Sequence, residues 1–180
     1  MNQDGKDLSE SESELLEALR WMAMPVVVVG SSTNLERSCA TGTMSYVSLR
    51  PPMISTSLSH TSRTYQLAHE SKVFSASLLR IDQSEVAITA ARRPTTTDKF
   101  SELNFAVQEW SNVPALADCG TVMWCALEQE HEVGDYVLCV GRILKVDAGA
   151  TEEDPLLRFA GHYHAMGRRL ETANETPYPL

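Results

Sequence analysis

No run of this sequence is long and apolar enough to cross a bilayer as a helix, and its first twenty residues are polar and acidic where a secretory leader would be apolar. The cytoplasm is therefore the expected compartment. Cysteine is sparse: Cys39, Cys119, Cys125 and Cys139 form no CxxC or zinc-type spacing. Three of them sit in apolar strand-like runs, where a free thiol packs as a small hydrophobe. Positive charge is scarce too. Lys and Arg number 15 against 24 Asp and Glu, a formal net charge of −9. That balance lacks the basic footprint of a nucleic-acid binder and gives no reason to expect an anionic membrane surface as partner. Six of the acids fall within residues 1–17 and read as a solvated start. No Ser, Cys or His stands in a recognisable nucleophile motif, and no internal repeat is present. His162 and His164 could share one strand face as metal ligands do, but no carboxylate or cysteine is spaced to complete a set, so no metal is expected.

What is present is an ordinary globular composition over 180 residues, 43% apolar and 22% charged, enough to bury the core of one domain. Residues 14–167 form that domain, between a polar, acidic tail over 1–13 and a polar tail over 168–180. Ser11 or Ser13 caps a first helix bearing Leu15, Leu16, Leu19 and Met22, which Pro25 stops. Val26–Val29 is a β-branched run suited to burial on both faces, and Ser38–Thr43 returns antiparallel to it. Met53–Leu58 alternates, with Ile54, Thr56 and Leu58 on one side, as does Val73–Leu79. A helix over Thr64–Ser71 lies between them. Asp82 and Glu85 resemble a capping box for a helix reaching Ala91, and Asp98 caps a short helix holding Phe100 and Leu103. Asn104–Gly120 reads as irregular. Thr121–Val133 and Tyr136–Asp147 form a hairpin about Gly134-Asp135, and Leu156–Tyr163 a last strand. Six or seven strands with helices inserted irregularly predict a mainly β, antiparallel barrel with peripheral helices rather than a parallel βαβ sheet.

The stretch from Thr41 to Thr64 carries the chemistry. It opens on small and hydroxyl-bearing residues (Gly42, Thr43, Met44, Ser45), turns at Pro51-Pro52, and presents Ser57 and Ser59 at period two. It closes on Ser62, Arg63 and Thr64 at a helix start. Hydroxyls, first-turn amides and one arginine there suit an anion such as phosphate; the plain alternative is that Thr61 or Ser62 only caps the helix. Gly42 and Thr43 lack bulk, so a planar ring could lie against their main chain. Lys99 is a further phosphate candidate, or a lone surface lysine.

The order of these segments resembles the flavin reductase-like family. Matching pieces are Ala18–Val29, Ser45-Tyr46-Val47-Ser48-Leu49-Arg50-Pro51-Pro52, Ser62-Arg63-Thr64, Asp98-Lys99-Phe100, Gly134-Asp135, Pro155–Leu157 and Gly161-His162-Tyr163. The resemblance implies a Greek-key split β-barrel of the FMN-binding type, FMN or FAD as the flavin, NADH or NADPH as co-substrate, and a homodimer. It also implies a flavin-dependent monooxygenase as a possible recipient of reduced flavin. Carried over by position, Gly42, Thr43, Met44, Ser45, Ser57, Ser59, Ser62, Arg63, Thr64 and Lys99 would hold flavin. Asp135, Tyr136 and His162 would face the nicotinamide or a second substrate. Three departures stand out: Gly42-Thr43-Met44-Ser45 replaces a frequent Ser-Ser-Phe-Thr, Tyr136 a common histidine, and His162 a frequent arginine. Tyr136 leaves a second reading open, a flavin-binding protein that does not use nicotinamide.

Overall fold

The computed structural model describes residues 10–149 and 154–167, so the start of the acidic tail and the whole of 168–180 lie outside the described residues. Helix α1 spans Glu10–Leu19. It contains Ser11 and Ser13 rather than starting after them, and Pro25 does not stop it. The helix unwinds first, through three-residue turns that bond Trp21 N to Ala18 O and Met22 N to Leu19 O, both at 3.3 Å. Pro25 instead lies inside β1 (Met24–Ser32).

Four successive valines, Val26–Val29, are all buried, as the β-branched run predicts. Val27 and Val29 face one apolar cluster with Ile54, Leu58, Phe74, Ala76, Met123, Val137 and Cys139. Val26 and Val28 face a second, with Leu79, Val86, Ala87, Phe100, Leu116 and Trp124. The first cluster fills a barrel. Strands β2 (Arg37–Leu49), β3 (Pro52–Ser59), β4 (Val73–Leu78), β7 (Thr121–Val133) and β8 (Tyr136–Ala148) join β1 in the order β1-β2-β3-β8-β7-β4, and β4 pairs back to β1. Every one of these pairings is antiparallel, so a closed six-stranded barrel results. Alternation along β3 places Ile54, Thr56 and Leu58 inward and Ser55, Ser57 and Ser59 outward.

Helix α2 (Arg63–Ser71) closes one end of the barrel, burying Leu67 and Ala68. One carboxylate ties it to the β7–β8 hairpin: Glu130 accepts from Tyr65 Oη at 3.1 Å, His69 Nδ1 at 2.5 Å and Lys72 Nζ at 2.7 Å. Burial alone would push the Glu130 carboxyl up, but these three donors hold it below the ordinary value.

The second cluster lies outside the barrel, under α3 (Ser84–Ala91), a 3₁₀ turn at Lys99–Glu102 and a small hairpin, β5 (Val107–Trp110) with β6 (Val113–Leu116). That hairpin replaces the irregular segment expected over Asn104–Gly120; Ser111 and Asn112 turn it with φ of 50° and 62°. Trp110 packs on Trp124 at 6.3 Å and belongs to this core. Asp82 does not cap α3. Its carboxylate pairs with Arg80, and Gln83 Oε1 accepts the Arg80 amide at 2.9 Å instead. The expected last strand is two short ones, β9 (Leu157–Phe159) and β10 (His162–His164), turned at Ala160-Gly161. Among the described residues no helix is long and apolar enough to cross a membrane.

Candidate flavin site

Strands β2 and β3 pair Ser45 with Ser55, and continuing that register sets Thr43 beside Ser57. On the other side of β3, Ser59 pairs with Tyr136 of β8. Thr43, Ser45, Ser55, Ser57, Ser59 and Tyr136 therefore share the outer face of three adjacent strands. Among the described residues the hydroxyls of Thr43, Ser45, Ser57 and Ser62 make no hydrogen bond to protein. The row is thus a set of donors and acceptors ready for a ligand.

At one end of the row the chain turns into α2. Ser62 N bonds Ser59 O at 2.9 Å, and the Ser59 and Thr61 hydroxyls lie 3.1 Å apart. Ser62 is the N-cap residue, yet its side chain makes no cap hydrogen bond. The first-turn amides are therefore left without a side-chain acceptor, as an anion site requires, which sets aside the plain capping role. No acidic residue occupies that first turn. The hairpin tip comes to the same place, since His60 N bonds Asp135 O at 3.4 Å. Arg63 is exposed and pairs with Glu36 of the β1–β2 turn, Nε to Oε2 at 2.5 Å, while its Nη1 reaches Gln66 Oε1 at 2.9 Å.

Several expected contact residues point elsewhere. A Cβ on Gly42 would meet Thr56 Oγ1 at 3.3 Å and Val29 Cγ2 at 3.7 Å, so the missing side chain clears space toward the barrel interior and not the outer face. Met44 also turns inward and lines an apolar hollow of about 480 Å³ with Pro25, Met53, Ile54, Met123 and Ile143. Thr64 is buried, its hydroxyl 3.1 Å from Ser38 Oγ. Lys99 is no surface lysine. It is 3% exposed and donates to the carbonyls of Ala90 and Arg92 at the end of α3. Burial lowers its pKa. For Gly42, Met44 and Thr64 only the backbone borders the face. His162 lies on β10, reached through β9 on the edge of β1 away from β2, and lines a groove with Leu19, Arg20, Met22 and Met24.

Sequence reasoning missed two participants. Ser55 continues the period of Ser57 and Ser59, and extending that count by one step finds it. Glu36 left no such signal, because its link to Arg63 spans 27 positions and arises only when the β1–β2 turn folds over α2. Among the described residues no group of three or more His, Cys, Asp or Glu could hold a metal.

A closed antiparallel barrel with a helix across one end and a small sheet packed outside defines the split-barrel class. The chain matches the flavin reductase like domain over residues 19–167 and belongs to that family. It is 27% identical over 150 residues to an NADH:riboflavin 5'-phosphate oxidoreductase of Streptomyces pristinaespiralis, covering 82% of this chain and 84% of that protein. It is 30% identical over 118 residues to the reductase subunit HsaB of a Rhodococcus jostii flavin-dependent monooxygenase, covering 65% and 58%. In fold it is similar to the NADH:FAD oxidoreductase SgcE6 of Streptomyces globisporus, with a TM-score of 0.79, 20% identity and coverage of 91% and 99%.

The residues present fit a flavin. The unpaired hydroxyl row offers partners to a planar polar edge, and the uncapped α2 start with Arg63 offers an anion site.

Proposed function

We propose that this protein is an NAD(P)H-dependent flavin reductase that supplies reduced FMN or FAD to a partner monooxygenase. One juxtaposition carries the reading: the unpaired hydroxyls of β2 and β3 run along one outer face and end where the uncapped start of α2 meets the hairpin tip at Tyr136, in a chain of the flavin reductase-like family. Flavin, when bound, supplies the hydride acceptor, and nicotinamide the donor. Such a transfer needs no acid or base from the protein; the chain's share is to hold two planar groups face to face.

In this arrangement Ser45, Ser55 and Ser57, with the backbone of Gly42–Met44, line the ring-binding face. Ser59, Ser62, Arg63 and the first amides of α2 grip the phosphate, and Asp135 and Tyr136 border the second ligand. Lys99 serves the architecture, closing α3 beneath β2. His162, on β10 beyond β1, stands apart from this face within the chain.

Tyr136 supports the second reading, a flavin-binding protein that does not use nicotinamide, because a phenol carries no positive charge near neutral pH where relatives commonly have histidine. Stopped-flow absorbance separates the two. Flavin with NADH or NADPH should bleach faster than the protein-free rate. If neither does, the reductase reading fails, and bleaching restored by Tyr136→His would establish the alternative.

The same proposal includes a homodimer. Tyr46 and Leu49 are 67% and 50% exposed and line the apolar hollow at the open end of the barrel, apolar surface of the kind that partners cover. It also includes a cytoplasmic location, which suits four unpaired cysteines.

A further inference from the structure

Arg63 is the strongest anion-binding side chain at the start of α2, and it is already engaged. Its Nε and Nη2 both donate to Oε2 of Glu36, side-on, and Nη1 donates to Gln66. Glu36 is set in place by its turn, where Thr33 N bonds its carbonyl at 2.9 Å. The adjacent Arg37 does not relieve it, because that guanidinium goes to Asp98 at 2.5 Å and Glu109 at 2.6 Å. A phosphate arriving at the helix start therefore meets a guanidinium whose charge is neutralised and whose best fork is occupied, with a carboxylate beside it.

We propose that Glu36 sets how tightly the phosphate end of flavin is held, by competing with it for Arg63. The inference rests on the flavin reading above. Its consequence is a flavin that exchanges readily, as a carrier of reducing equivalents to a second protein must. A phosphate can win Arg63 only by displacing or sharing with Glu36. A ligand without phosphate does not contest the pair.

The test is the equilibrium dissociation constant of oxidised FMN and of riboflavin, from quenching of flavin fluorescence at fixed ionic strength. The proteins are wild type, Glu36→Gln, Arg63→Ala and the double variant. Glu36→Gln should tighten FMN about two- to fivefold, the factor that corresponds to one exposed ion pair. Riboflavin affinity should not move. In the Arg63→Ala background the gain should vanish, which is the non-additivity that direct coupling demands. Glu36→Ala carries the same expectation and serves if the glutamine variant melts early. Unchanged or weakened FMN binding in Glu36→Gln overturns the proposal, the latter outcome meaning that Glu36 orients Arg63. So does an equal shift for riboflavin, or a gain that persists without Arg63. If the wild type binds no FMN, or Arg63→Ala leaves FMN affinity unchanged, the flavin site itself is misplaced and this inference falls with it. If Arg63→Ala weakens FMN while Glu36→Gln does nothing, only the competition is wrong.

Discussion

At the residue scale, burial rather than reactivity governs the cysteines. All four are buried and unpaired. Burial pushes the thiols of Cys39 and Cys125 up to about 12, and those of Cys119 and Cys139 to about 11. The native protein at neutral pH should therefore react negligibly with a disulfide-exchange reagent, and all four thiols should become available on unfolding. Quantitative labelling with and without denaturant checks this. The same shifts fix a pH dependence. A thiol whose folded pKa is raised contributes stability that is complete below the unfolded value near 8.5 and is lost as pH rises toward the folded one. The denaturant midpoint, measured in reductant, should fall between pH 8 and pH 10. The burial of three of these thiols was legible, because they sit within apolar strand-like runs. Lys99 was not. A lysine after an aspartate in a polar stretch has every mark of a surface residue, and only the arrival of the α3 carbonyls gives its ammonium a place to be buried.

At the scale of elements, alternation served wherever one face of a strand was apolar. It placed β3, β4, β7 and β8 to within one or two residues. It failed where a local feature masked it. Pro114 concealed the β5–β6 hairpin, although the Ser111-Asn112 turn between two short alternating runs was a usable signal. Alternation also carried information that went unused at Gly42, whose absent side chain must face inward if Thr41 and Thr43 face outward. A tighter case of the same geometry yields a prediction. A Cβ on Gly141 of β8 would sit 2.5 Å from both Cε1 and Cζ of Phe74 and 2.9 Å from Cys125 Cβ. Phe74 is buried among the apolar side chains that fill the barrel. Gly141→Ala should cost about 1–3 kcal/mol through overpacking, seen as a lower urea midpoint with an unchanged slope.

At the scale of the whole molecule, the barrel is finished at the α2 end and open at the other. There Tyr46, Leu49 and the hollow beneath Met44 meet solvent. Light scattering after size exclusion should return twice the mass of the chain, and Leu49→Glu should shift the population to monomer. A monomeric wild type at micromolar concentration would refute the dimer. The antiparallel barrel was readable from the number and spacing of the strands. Which strands close the barrel was not legible, because β4 meets β1 across 45 to 51 positions of sequence and no local pattern announces that pairing.

The hydroxyl row has a metric consequence. Strand residues advance about 3.3 Å each, so Ser55, Ser57 and Ser59 mark off an interval of roughly 13 Å along one straight edge, ending where the α2 amides begin. A ruler built into a closed, hydrogen-bonded wall does not stretch. Under the proposed function such a wall would gauge a rod-shaped guest by its length from flat head to charged foot, and a single residue inserted between two graduations would turn one of them to the inside of the barrel.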